Sequence, residues 1–294
     1  MRKRLQRTLL ASLIGALALA SSAAAFDDGD AAWAARAEGR SEERAAPGPV
    51  EASIDAYQRA VDARPAALEP RWKLLRSLHF LGVFAQQDED ARRRTFERAT
   101  EVSEAALDLL AERAGQGTRL DELDADALAP RIAEAGLAPE DVARLHFWSA
   151  LGWGSWAEAV GLLGAVREGA AGRLRRYANV TAALEPGYEG GGAFRLLGAL
   201  HASLPRVPFL SGWVDRDRAL PLVRRAYDLA PEHPGNQLLL ATTLLDRAPD
   251  RREEAVALLR PVAALTPRPD AIVEDLVLRK EARRRLEPLA ATAD

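Results

Sequence analysis

HFWSALGWGSW, residues 146–156, decides how this chain folds. Trp148, Leu151 and Gly152 form W-x2-L-G, a large-large-small triplet on one face of a helix. A glycine beside two bulky residues lets a second helix come close, and the bulky pair fills the seam. The triplet recurs as Phe194, Leu197 and Gly198, followed by His201. Between and around these lie segments with small residues at fixed offsets and a closing proline. Ala219, Val223, Ala226 and Pro231 form one, and Ala255, Leu259, Val262 and Pro267 another. Upstream, Ser53, Tyr57, Ala60 and Pro65 end a unit. Trp72 and Leu75 open the next, with Arg76 where a small residue is preferred, and Phe96 and Ala99 close it.

This alternation is the tetratricopeptide pattern. The expected fold is all-α: an irregular tetratricopeptide-like helical repeat of about four to five hairpins with a capping helix. The period drifts. Pro231 to Pro267 is 36 residues and Pro186 to Pro231 is 45, against about 34 in a regular array. Insertions of this size are expected to fold over the groove and enclose a cavity. Residues 26–48 read as an N-terminal helix and linker, 49–267 as the repeat domain, and 268–294 as a charged capping helix and tail. Within the domain, residues 90–114 read as one amphipathic helix stopped by Gly115 and Gly117. Residues 124–135 read as a short helix ending at Gly136. Pro139 stands near the start of the helix that carries Trp148.

Composition agrees. The chain has 294 residues, 48% hydrophobic and 28% charged, with a net charge of -3. Ala, Leu, Arg and Glu favour helix. The charge is too small and too mixed to point to nucleic acid. With no cysteine, disulfides, thiolate metal sites and cysteine nucleophiles are excluded, as is a lipid on an N-terminal cysteine. Residues 1–25 read as a signal peptide: basic Arg2, Lys3, Arg4 and Arg7, an apolar Leu9 to Ala20, then small residues up to a cut after Ala25. The expected setting is the periplasm.

The segments HFWSALGWGSW (146–156), LEPGYEGGGAFRLLGALHASLP (184–205) and SGWVDRDRALPLVRRAYDLAPEHPGN (211–236) resemble the TatT family. This is the T-component of certain TRAP transporter systems. The resemblance spans roughly residues 50–265. It implies a periplasmic tetratricopeptide-like protein that pairs with a solute-binding protein, and a homotrimer around an apolar pore. Family members are often lipoproteins; this chain lacks the cysteine that would tether it.

A candidate surface follows from helix periodicity. On the Trp148 helix the face opposite the packing triplet carries His146, Ala150, Trp153, Ala157 and Val160, with Trp156 beside it. The same count puts Lys73, Ser77 and Phe80 on the groove side of the Trp72 helix, and Arg195 and Ala199 on that of the Phe194 helix. The Tyr188-Glu-Gly-Gly-Gly192 turn reads as a connector or as a rim loop. The expected ligand is a hydrophobic organic anion whose carboxylate meets Arg195 or Lys73, or an apolar strip of a protein partner. A periplasmic assembly scaffold is the alternative function. No enzyme is indicated. His79, His146, His201 and His233 fall in no metal-binding spacing, no G-x-S-x-G elbow occurs, and no cofactor motif is present.

Overall fold

The computed structural model describes residues 25–115, 117–207 and 211–290. The signal-peptide segment up to residue 24 lies outside them. The described chain is helical throughout, with no strand beyond an isolated Ser41–Arg44 bridge. A first helix, α1, covers residues 25–34. Then come α2 (Pro47–Ala63), α3 (Glu69–Phe80), α4 (Glu89–Ala114), α5 (Ala125–Glu134), α6 (Pro139–Arg167), α7 (Ala170–Leu184) and α8 (Gly192–Ser203). The array ends with α9 (Ala219–Leu229), α10 (Pro234–Arg247), α11 (Arg252–Ala263) and α12 (Ile272–Ala290). No helix among the described residues is long and apolar enough to cross a membrane.

Local chemistry sets the ends. Proline sits in the first turn of α2, α3, α6 and α10, where its missing N–H is no loss. Asp88 caps α4 by accepting from the Ala91 amide at 2.7 Å. At Gly161 (φ 77°, ψ 176°) the backbone leaves the helical region, so the last turn of α6 is a separate piece.

Successive helices pack in order, α2 on α3, α3 on α4, α4 on α6, α6 on α7, and so on to α11 on α12. The short α5 is the inserted element, packed on α4, α6 and α7. Two apolar cores result. The larger runs from Ala45 to Leu200 and contains Trp72, Trp148, Trp153 and Tyr177. The smaller is built from Val223, Leu240, Ala241, Leu244, Ala255, Leu259, Val262 and Ala282. Helix α12 belongs to both: Val273 is buried in the first and Ala282 in the second.

The N-terminal segment opens with α1, which packs on α2 and α3, and continues as a non-helical stretch to residue 46. Phe26 meets the Tyr57 ring edge-on at 6.1 Å, and Trp33 meets Phe80 at 5.5 Å. Asp30 accepts from the Tyr57 hydroxyl at 2.6 Å. The start of the array also touches its end. Arg36 forms an ion pair with Glu274 at 3.0 Å and donates to the Asp270 carbonyl, and Lys280 pairs with Glu43 at 3.2 Å. The chain of packed helices is therefore a closed circuit. The sequence suggested insertions folding over a groove; the inserted α5 packs on α4, α6 and α7.

Candidate functional site: the enclosed face of the helical array

The Gly-rich turn between α7 and α8 is fixed. Asn236, fully buried at the start of α10, donates to the carbonyls of Gly190, Ala226 and Ala230 at 2.8–2.9 Å. Arg195 donates to Gly190 O at 3.1 Å and to Asn236 Oδ1 at 2.8 Å. At Gly191 (φ 81°) an added Cβ would sit 3.1 Å from the Ala226 backbone, so glycine is required for conformation and for space. Glu189 beside it has φ 49°, ψ 40°, a left-handed conformation that a non-glycine residue adopts only when its surroundings impose it.

Glu189 is exposed on this turn. Its carboxylate lies in electrostatic reach of Arg195 on α8, Arg76 on α3, Glu274 on α12 and Arg36 after α1. These elements come from all round the circuit. The side chain keeps solvent-accessible surface, yet desolvation is the main cause of its raised pKa, opposed by Arg195 and Arg76. His79 behaves alike. It keeps some exposure, and desolvation lowers its pKa to about 4, leaving it neutral.

The walls around Glu189 are aromatic and hydrogen-bond donating. The Arg76 guanidinium stacks on Trp33 at 3.9 Å and reaches Trp72 at 5.4 Å. His79 packs on Trp148 at 5.9 Å, with its Nδ1 3.2 Å from Ser155 Oγ. The Trp148 indole donates to the Tyr188 hydroxyl at 2.9 Å. Tyr188 also packs edge-on against Phe147 at 5.3 Å. Arg36 is paired with Glu274, and Arg144 with Glu185 at 3.2 Å. Arg76 and Arg195 have no carboxylate partner among the described residues. Arg76 bonds the Tyr57 hydroxyl at a long 3.5 Å and has a buried, unpartnered Nε. Arg195 bonds only neutral oxygens, and desolvation lowers its pKa to about 10.

The residues singled out in the sequence divide. Arg195 and Tyr188 stand on this inner face. Lys73 does not: Asp30 at 2.8 Å and Glu69 at 3.1 Å engage it, and its ammonium rests 4.0 Å from the Phe26 ring centroid. Phe80 is buried against Trp33 and Phe84. On α6 the expected faces are exchanged. His146, fully buried, bonds the Val142 carbonyl at 2.8 Å and packs on Tyr177 of α7. Trp153 is buried against Trp156 at 5.2 Å and under Arg173 at 4.5 Å. The Trp148 face looks toward α3 and the turn. The cause is that α6 is covered by α3, α4 and α7 together, so both apolar faces are packing faces.

Trp33, Arg76, His79, Trp148 and Glu189 are inner-face residues that periodicity missed as lining. The one available signal was Arg76, a long cation at a position that prefers a small residue. A second concavity of about 290 Å³ lies between the inserted segment and α7, lined by Asp121, Asp124, Leu128, Arg176 and Asn179. Asp121 in it is held by Arg176 at 2.9 Å and Arg119 at 3.2 Å.

The chain matches no known family model and no curated protein.

Proposed function

We propose that this protein is a non-enzymatic, periplasmic, tetratricopeptide-like accessory component of a TRAP-type transporter. It holds a small hydrophobic organic anion against its inner face and exchanges it with a solute-binding protein. The observation that carries this reading is the pair Arg76 and Arg195, two half-buried guanidiniums that form no ion pair among the described residues, Arg76 lying against Trp33 and Trp72. Removing a cation from water without a counter-ion is unfavourable, so an arriving carboxylate completes the site. Resemblance to the TatT family in residues 146–156, 184–205 and 211–236 supplies the partner and the homotrimer.

A periplasmic scaffold is the second reading. It is favoured by Leu162 and Leu163, 71% and 87% exposed just beyond the break at Gly161. Exposed leucines in a row suit a protein contact. One experiment separates the two. Chain lacking residues 1–25 is passed over immobilised periplasmic solute-binding proteins encoded beside TRAP membrane components. Specific capture that weakens in an Arg76→Gln, Arg195→Gln double variant supports transport. Capture of secretion or cell-wall assembly factors, with no solute-binding protein recovered, overturns it.

A further inference from the structure

Consecutive helices of an array need only a short connection, about 2–8 residues. Between α4 and α6 the chain instead carries a turn at Leu120–Glu122 and the helix α5. This insertion and α7 border the concavity of about 290 Å³. The insertion contributes Asp121, Asp124 and Leu128, and α7 contributes Arg176, Asn179 and Val180, which share one helix face. The volume is at the lower end for ligand pockets, which begin at about 300 Å³, so a guest must be small. The floor is apolar: Leu128 and Val180 are each 2% exposed. One wall is a fixed charge pair. The buried Asp121 carboxylate accepts from Arg176 Nε at 2.9 Å and from Arg119 Nε at 3.2 Å. Arg176 uses only Nε in that bond, and its terminal nitrogens have no partner among the described residues. The exposed rim is polar and unengaged. Asp124 precedes α5 without capping it, and neither its carboxylate nor the Asn179 carboxamide is bonded among the described residues.

We infer that this cavity is a second binding site, for a small aliphatic α-amino acid. The charges of the lining select it. A lone carboxylate meets Arg176 but also the carboxylates of Asp121 and Asp124. A lone amine meets Asp124 but also the guanidinium of Arg176. A zwitterion brings one group for each. Its carboxylate accepts from the terminal nitrogens of Arg176 and from the Asn179 amide, and its ammonium donates to Asp124. A short aliphatic side chain then covers Leu128 and Val180. No aromatic ring is among the lining residues, so a sugar or a planar ring finds no face to stack on. The site uses none of Arg76, Arg195 or Tyr188 and is independent of the organic-anion reading.

Titration calorimetry with leucine, 4-methylpentanoate and 3-methylbutylamine tests this. The second probe lacks the ammonium and the third lacks the carboxylate. Wild type binds leucine about tenfold or more tighter than either. Asp124→Asn removes an acid that neither caps nor pairs, so melting is unchanged, and leucine loses its advantage over 4-methylpentanoate. Asn179→Ala, at an exposed position, weakens leucine binding. The Arg76→Gln, Arg195→Gln double variant binds leucine as wild type does. The inference is overturned by no saturable leucine binding, by equal binding of leucine and 4-methylpentanoate to wild type, or by leucine binding unchanged in both Asp124→Asn and Asn179→Ala. Each of these leaves the inner-face reading standing. Loss of leucine binding in the double variant places the amino acid on the inner face and also overturns the inference.

Discussion

The two halves of the array use the same helix hairpin and fill it differently. In the C-terminal half, α9, α10 and α11 meet through Val223, Leu240, Leu244, Ala255, Leu259 and Val262, and the buried polar groups there, Asn236, Thr243 and Asp275, are all hydrogen-bonded. In the N-terminal half the seam holds Trp72, Trp148, Trp153, Tyr57 and Tyr177. It also encloses His146, Ser103, Ser149 and Ser53, all at 0% exposure. Ser53 Oγ donates to Ser77 Oγ at 2.9 Å. His146 Nε2, Ser103 Oγ, Ser149 Oγ and Trp153 Nε1 have no partner. The N-terminal half tolerates buried polar groups left unpaired, which is unfavourable, and it holds Trp33, Arg76, His79 and Trp148.

The largest effects come from breaking each core in turn. Trp153→Ala is expected to destabilise by about 3–5 kcal/mol and Leu244→Ala by about 2–5 kcal/mol. Urea unfolding followed by circular dichroism measures both. Trp153→Ala with unchanged stability but lost ligand binding would return Trp153 to the list of binding residues. That outcome would contradict its packing against Trp156 and Arg173.

The two motif glycines sharpen the contrast. An added Cβ at Gly198 would lie 2.5 Å from Val223 Cγ2 and 3.3 Å from the Ala219 carbonyl. At Gly152 it would meet only the Ala99 methyl, at 3.4 Å. Gly198→Ala is expected to cost about 1–3 kcal/mol by overpacking. Gly152→Ala is expected to be neutral or stabilising by up to about 1 kcal/mol, because alanine is the better helix former. Melting temperatures of the pair decide; equal losses would mean that α4 and α6 are as tight as α8 and α9.

Each half also holds a histidine that burial keeps neutral. His79 on α3 and His233 at the start of α10 are both lowered to about 4, first by desolvation. In the unfolded chain they titrate near 6.5. Between pH 6.5 and 4 the unfolded state therefore binds protons that the folded state does not, and their stabilising contribution is lost as pH falls through that window. His233 Nδ1 accepts from the Gly235 amide at 3.1 Å. Asparagine keeps that cap without titrating. His233→Asn is expected to lose less melting temperature than wild type between pH 6.5 and 4.5. Identical pH profiles would mean that His233 is already hydrated in the fold.

The hairpins were legible because their signal is local. Gly115 and Gly136 place α4 and α5 within a residue or two of their observed ends, and Pro139 marks the start of α6. The inner face was only half legible. Arg195 and Tyr188 follow from a helix count and a conspicuous turn. On α6, Trp148 and Trp153 are equally apolar, and only the arrangement of α3, α4 and α7 around them decides which one looks inward. Lys73 was misplaced because its partner Asp30 belongs to α1, whose docking no short-range pattern announces. The Arg36–Glu274 contact joins residues 238 apart in sequence, beyond the reach of periodicity.

That contact carries the smallest and most specific prediction. The Arg36 side chain is 10% exposed and Glu274 27%, and Arg36 also stacks on Trp33 at 4.4 Å. Removing a mostly buried pair that closes a circuit has a local and a global part. The local part is one charge-assisted bond and one stacking contact, about 1–3 kcal/mol together. The global part is geometric: without the pair, α12 still sits on α10 and α11 but loses its hold on the first helix. Arg36→Ala is expected to raise amide exchange in the first turns of α12 and in residues 25–40, while α9–α11 exchange as before. If exchange rises evenly over the whole chain, the two halves unfold as one unit and the closure is ordinary packing. If it rises only at the seam, the ends form a joint that can open, and the inner face has an entrance there.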